Sequence, residues 1–257
     1  MNLKPLKNME ILLVEDNEMN TLLASAIIRG TGANVTEADN GMDAIHLLRS
    51  RTFDLVLMDL HLPVMDGFET TRYIRTQLSL NVPIIAITAN VVNNEGFRCK
   101  DVGMNGFISK PYTEQELLEA IANCATGSDT GYGAGQVQHS GSSTSLYNLS
   151  FLESVSKGNH NLLRQMLLVF VEQTPAAVAQ IREAYDKHDF AEIYANAHRI
   201  KPDIDNLNIA SLKDDIRRIE GFAAQKQNGD MLKNLILKLD NTIKQVVHHL
   251  NVNVLAR

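Results

Sequence analysis

LVLMDLHLPVMDG, residues 55–67, carries four apolar residues into the carboxylate of Asp59 and then into a turn built from Pro63, Asp66 and Gly67. A short apolar run bounded by turn residues reads as a buried strand, here Leu55–Met58. Working outward, the same signal recurs at Met9–Val14, Asn34–Ala38, Val82–Thr88 and Gly106–Ile108. Amphipathic stretches near 17–29, 40–50, 67–77, 93–102 and 113–124 lie between and after them. Five strand–helix units in the first 125 residues imply a parallel sheet covered by helices on both faces, with right-handed crossovers. Such sheets place ligands beyond the carboxyl ends of their strands.

Those ends carry chemistry. The first strand runs into Glu15 and Asp16, the third into Asp59, the fourth into Thr88 and the fifth into Ser109 and Lys110. Three carboxylates at one rim repel each other unless a divalent cation joins them, and Mg²⁺ takes hard oxygen ligands. A cation bridging carboxylate and phosphoryl oxygens, with Lys110 on a further oxygen, suits phosphoryl transfer to an Asp nucleophile. Asp54, Asp66 and Asp101 read as caps or turn residues.

ILLVEDN (11–17), LVLMDLHLPVMDG (55–67), IIAITAN (84–90) and FISKP (107–111) resemble, in order and spacing, the two-component receiver domain over essentially all of 1–125. The resemblance implies a flavodoxin-like fold with strand order 2-1-3-4-5. It makes Asp59 the phosphoacceptor, and gives Mg²⁺ to Asp16 and Asp59, with Glu15 nearby and the main-chain carbonyl of His61 as a further ligand. It places Thr88 and Lys110 on the phosphoryl group and Phe107, with Thr88, at the switch positions. Lys110-Pro111 is a candidate cis peptide. An aspartate-nucleophile phosphatase would want Asp-x-Asp, whereas His61 holds the second position here.

From Thr126 to Ser145 the chain reads TGSDTGYGAGQVQHSGSSTS, a composition expected of a flexible linker between domains at 1–125 and 146–257. Net charge is −6 before it and +1 after it, with Asp129 inside it, which gives −6 for the 257 residues. No basic block suggests direct nucleic-acid binding. Two cysteines, Cys99 and Cys124, without close Cys or His spacing, suggest neither a disulfide framework nor zinc and fit a reducing compartment. No apolar run approaches the roughly 18 residues of a membrane span, and the run at 11–14 is too short for a signal-peptide core. A cytoplasmic location is expected.

The second half is helical throughout, with stretches near 149–155, 159–173, 176–187, 189–207, 209–225 and 229–250. In the fourth, Phe190, Ile193, Ala197, Ile200, Ile204 and Leu207 form an apolar stripe. Tyr194, His198, Lys201 and Asp205 share the neighbouring face, which exposes an imidazole with an ammonium one turn away. Neutral imidazole, with an ordinary pKa of about 6.5, is a competent phosphoryl acceptor. Lys201 and Asp205 are spaced for a surface ion pair. His248 and His249 are adjacent and point apart on a helix, a poor metal pair.

AHRIKPDIDNLNIASL (197–212) and FLESVSKGNHNLLRQMLLVFVEQTP (151–175) resemble the histidine-containing phosphotransfer (HPt) domain, a four-helix bundle whose hallmark is His-x-x-Lys followed by a small residue, over about 146–250. The resemblance implies that His198 is the phosphohistidine and Lys201 its electrostatic partner. Pro202 stands where the family most often has glycine; it removes the hydrogen bond to the His198 carbonyl, usually kinks a helix, and is expected to tilt the imidazole outward. Together the halves imply a phosphorelay protein, either freestanding or the C-terminal part of a hybrid sensor kinase. Its implied partners are a histidine kinase upstream and a receiver downstream. The alternative is a receiver fused to a docking bundle with an inert histidine.

Overall fold

The computed structural model describes residues 6–88, 95–125 and 145–256, with residues 95 and 96 described by their backbone alone. All of the expected linker except Ser145 lies outside the described residues, as do Ala89 and Asn90 of the third motif. The chain separates into two compact units.

The first unit alternates β1 (Glu10–Val14), α1 (Glu18–Arg29), β2 (Asn34–Ala38), α2 (Gly41–Ser50), β3 (Leu55–Asp59), α3 (Gly67–Thr76), β4 (Ile84–Thr88), α4 (Glu95–Asp101), β5 (Gly106–Ser109) and α5 (Glu114–Ala125). All strand pairs are parallel, in the order β2-β1-β3-β4-β5. This is the five-stranded flavodoxin-like sheet expected. β4 starts two residues later than its apolar run suggests because Pro83 has no N–H for the ladder and contributes only its carbonyl, which accepts from Val56 at 2.8 Å.

β1, β3 and β4 are buried along their whole length apart from Glu10, as strands covered on both faces must be. Leu12, Val14, Val56, Met58, Ile84 and Ala86 pack with Ala44, Leu48, Phe68, Ile74 and Cys99 of α2, α3 and α4. The alternating residues Ile11, Leu13, Leu55, Leu57, Ile85 and Ile87 point the other way. That face belongs to α1 and α5, which bury Leu23, Ile27, Leu117 and Ile121. Asn17 caps α1 and Asp66 caps α3 through their side chains, as expected for Asp66. Asp54 instead accepts the Glu10 amide at 2.8 Å and ties the start of β3 to β1.

The second unit contains α6 (Ser150–Ser156), α7 (His160–Asp186), α8 (Phe190–Asn206), α9 (Lys213–Ala224), α10 (Asp230–Leu250) and a closing π-helical turn (Asn251–Leu255). α7 packs on α8 and α10, and α9 packs on the same two, so four helices enclose one apolar interior while α6 lies against α7. Phe170, Ile181, Ile193, Ile200, Ile216, Leu239 and Val246 fill it.

The separate stretches expected at 159–173 and 176–187 are one helix of 27 residues that passes through Pro175. A proline vacates one carbonyl of the helical ladder. Burial of Phe170, Thr174, Ala177 and Val178 on both sides holds the helix together across that gap. The stretch expected to start at 209 begins instead at Lys213, since Asn208 takes a left-handed φ of 47° and Ile209 closes back onto the Ile204 carbonyl at 3.0 Å. Among the described residues no helix is long and apolar enough to cross a membrane.

Gly67 shows how tightly the first unit is assembled around Asp59. A Cβ at this position would lie 2.2 Å from the Asp59 carbonyl oxygen and 2.9 Å from Leu60 Cα, both backbone atoms. Gly67→Ala is expected to cost about 1–3 kcal/mol. A lowered urea midpoint of the full chain, followed by circular dichroism, is the measurement.

Candidate functional site

Register carries four strand ends to one rim: Val14 pairs with Met58, Asp59 with Ile87, and Thr88 with Ser109. There one carboxylate oxygen each from Glu15, Asp16 and Asp59 lies within 4.8 Å of the others. Lys110 Nζ stands 2.5 Å from Asp59 Oδ2 and 2.6 Å from Glu15 Oε2. The remaining oxygens of this buried pair are also held: the His61 amide donates to Asp59 Oδ1 and Asn20 Nδ2 donates to Glu15 Oε1, each at 2.9 Å. Thr88 is buried and its carbonyl accepts the Lys110 amide at 2.6 Å. The Lys110-Pro111 peptide is cis. Phe107 is half-buried against the α2–α4 side of the core.

One ammonium between two dry carboxylates neutralises only one of them. Burial pushes the Glu15 carboxyl up to about 8; Lys110 opposes this and the Asp59 charge reinforces it. Asp59 is desolvated too, but Lys110 and the His61 amide outweigh burial and hold it below the ordinary carboxylate value. Desolvation alone would lower Lys110, and the two carboxylates reverse that and push it above its usual range. Between the two carboxylates that Lys110 touches, the charge therefore stays on Asp59 and the proton is favoured on Glu15.

In the second unit α8 runs unbroken from Phe190 to Asn206 across Pro202. His198 does not stand out into solvent as its helix face suggested: its side chain is 20% exposed, and Nδ1 lies 2.5 Å from Glu220 Oε1. Lys201 Nζ donates to both oxygens of the same carboxylate, at 2.8 and 2.9 Å. Burial favours a protonated Glu220, but the His198 hydrogen bond and Lys201 outweigh it and keep this carboxyl below its usual value. An ionised carboxylate cannot donate, so the proton of the contact sits on Nδ1, which leaves Nε2 as the ring nitrogen able to act as a nucleophile. Lys201 Nζ is 3.4 Å from Nδ1, a long contact that cannot be a second hydrogen bond to a nitrogen already donating.

The Lys201–Asp205 ion pair that the spacing permits does not form. Lys201 turns to Glu220, and Asp205 pairs with Arg217 at 2.8 Å. Glu220 is the residue that sequence reasoning missed, as is Asn20 in the first unit. Glu220 follows Ile219 on the edge of the Ile216, Ile219 and Ala223 stripe of α9. That edge position was the available signal, but only the packing of α9 on α8 turns it toward His198. Tyr112, buried beside the acidic cluster, has a hydroxyl with no hydrogen-bond partner among the described residues, and burial raises its phenol.

Residues 11–122 match the family model of the response regulator receiver domain. The first unit is thus a receiver domain of a two-component phosphorelay, homologous to the receivers of histidine kinases. Over 115 residues the chain is 36% identical to the sensor histidine kinase RcsC of Salmonella typhi, covering 45% of this chain and 12% of that protein. With the sensor protein EvgS of Escherichia coli K12 the identity is 27% over 248 residues, 96% of this chain and 20% of that protein. The chain spans no more than a fifth of either relative. A solved structure of the receiver domain of sensor histidine kinase PA1611 from Pseudomonas aeruginosa PAO1, described with a magnesium ion coordinated in its active site cleft, is 39% identical. It covers 47% of this chain and 98% of that one, with a TM-score of 0.43.

Receiver domains bind Mg²⁺ at an acidic site, and the three carboxylates here are the hard oxygen donors such a cation takes. A cation held there would compete with the proton favoured on Glu15. Because the folded state holds a proton that the unfolded chain has lost above its ordinary value of 4.5, metal-free stability falls as pH rises from there toward about 8. Mg²⁺ affinity moves the opposite way: it is expected to rise by up to about tenfold per pH unit and to level off above the Glu15 value. Calorimetric titration of the full chain with Mg²⁺ near neutral pH, in buffers of different ionisation enthalpy, should show about one proton released per ion.

Proposed function

We propose that the chain is a two-site phosphorelay element, with a receiver at 1–125, a linker at 126–145 and an HPt domain at 146–257. It takes a phosphoryl group from a histidine kinase onto Asp59 and exchanges it between receiver aspartates and His198. The observation that carries the second site is the His198–Glu220–Lys201 cluster, in which Glu220 holds the Nδ1 edge of the ring and leaves Nε2 to attack. An inert docking bundle has no need of a buried carboxylate on that ring. The alignment with EvgS supports reading the two halves together, since it runs through both.

At Asp59, a carboxylate oxygen attacks phosphorus and the bond to the donor imidazole breaks, its electron pair leaving with the ring. Glu15, Asp16 and Asp59, with the His61 carbonyl, would hold Mg²⁺, which supplies positive charge to the phosphoryl oxygens. Lys110 then exchanges a carboxylate for a phosphoryl oxygen, and Thr88, with Phe107 as the second switch residue, senses the new group. In the second step Nε2 of His198 attacks the acyl phosphate, Asp59 leaves as carboxylate, and Lys201 stabilises the arriving oxygens. The kinase lies upstream, in a separate protein or in the same parent chain; a further receiver lies downstream. The setting we propose is the cytoplasm.

The test is labelling of the full chain by a small phosphodonor with Mg²⁺. Acyl phosphate is base-labile and phosphohistidine acid-labile, so the two sites are read separately. Asp59→Asn should abolish both labels, and His198→Gln should leave only the base-labile one. Glu220→Gln should slow appearance of the acid-labile label by about ten- to a hundredfold, because an amide no longer dictates which ring nitrogen keeps the proton. Base-labile label alone in the wild type would replace this reading with the docking bundle.

A further inference from the structure

Tyr194 lies one turn before His198 on α8, 37% exposed, with its ring nearly parallel to the imidazole. The ring centroids are 5.8 Å apart and the planes differ by 20°. This is an offset stack within the range of favourable aromatic contacts. Glu220 grips one edge of the imidazole through a single hydrogen bond, which fixes a point on the ring but not its plane. A flat neighbour on one face fixes the plane, and with it the direction of the Nε2 lone pair.

Charge gives the stack a second role. When Nε2 forms its bond to phosphorus, the phosphorus–oxygen bond to Asp59 breaks and the electron pair leaves with the carboxylate. The Nδ1 proton stays where it is, against Glu220. The ring is neutral before this step and an N-phosphorylated imidazolium after it. An aromatic face attracts a cation, so Tyr194 interacts more strongly with the product ring than with the starting one, while Lys201 opposes that ring charge at 3.4 Å.

We propose that Tyr194 is a positioning residue whose ring face orients His198 and favours its phosphorylated form, thereby setting how the phosphoryl group divides between Asp59 and His198. The proposal rests on the reading of His198 as the phosphohistidine. The experiment compares wild type, Tyr194→Phe and Tyr194→Leu in the full chain, labelled to equilibrium by a small phosphodonor with Mg²⁺ and read as the ratio of acid-labile to base-labile label. Tyr194→Leu should lower that ratio by about two- to fivefold, the size of an exposed cation–π contact. Tyr194→Phe should keep the wild-type ratio, since it keeps the face and loses only the hydroxyl. A wild-type ratio in the leucine variant, or equal losses in both variants, overturns the role of the ring face and leaves the phosphohistidine intact. Absence of acid-labile label in the wild type, or its persistence in His198→Gln, removes the phosphohistidine and this proposal with it.

Discussion

The Lys110 ammonium, wedged between the buried carboxylates of Glu15 and Asp59, is the contact on which the receiver half depends. Two such carboxylates side by side would expel each other or stay protonated, and neither outcome leaves a nucleophile. Lys110 comes from the far side of β4, and it arrives only because β1, β3, β4 and β5 are parallel and in register. The sheet is therefore the device that brings residues 15, 59 and 110 to one point. Each carboxylate keeps one further donor, the His61 amide on Asp59 and Asn20 on Glu15, yet Lys110 and the His61 amide keep Asp59 charged while burial and the Asp59 charge push Glu15 up.

The helical half solves a similar problem with the charges exchanged. There a single carboxylate, Glu220, is shared by one imidazole and one ammonium. Sharing keeps Glu220 ionised despite its burial, and an ionised Glu220 is what assigns the proton to Nδ1. Lys201 thus acts on the imidazole through the carboxylate as well as through space. Removing either partner would change the protonation of the other two, so the three behave as a unit and not as separate contributions.

Legibility from sequence followed the range of the interactions. The strands and the acidic rim could be read because each depends on local patterning plus one topological rule: apolar runs end in Glu15, Asp59, Thr88 and Lys110, and a parallel sheet places those ends together; the strand order came from the resemblance to receiver domains. The helical half was read correctly as helical but divided too finely at Pro175, where burial of Phe170 and Val178 overrides a local breaker. Glu220 was illegible because its partner lies 22 residues away on another helix, and nothing in the spacing of α9 says which neighbour its edge will meet. The Lys201–Asp205 pair failed for the same reason: two longer-range partners, Glu220 and Arg217, outcompeted an adjacent one.

Pro202 brings these threads together. Local physics says that it strips the His198 carbonyl of its helical partner and bends the chain at the residue that matters. The helix nevertheless continues, with Ile200, Asp203 and Ile204 buried around the proline and Thr174 of α7 donating to Asp203 at 3.1 Å. The imidazole is meanwhile held from two other directions, by Glu220 on its edge and Tyr194 on its face. Orientation of His198 is therefore set by contacts from α9 and from one turn upstream, neither of which passes through the hydrogen bond that the proline removes. A residue that interrupts the backbone beside a reactive side chain is tolerable when the side chain takes its geometry from elsewhere, and the His198 cluster meets that condition.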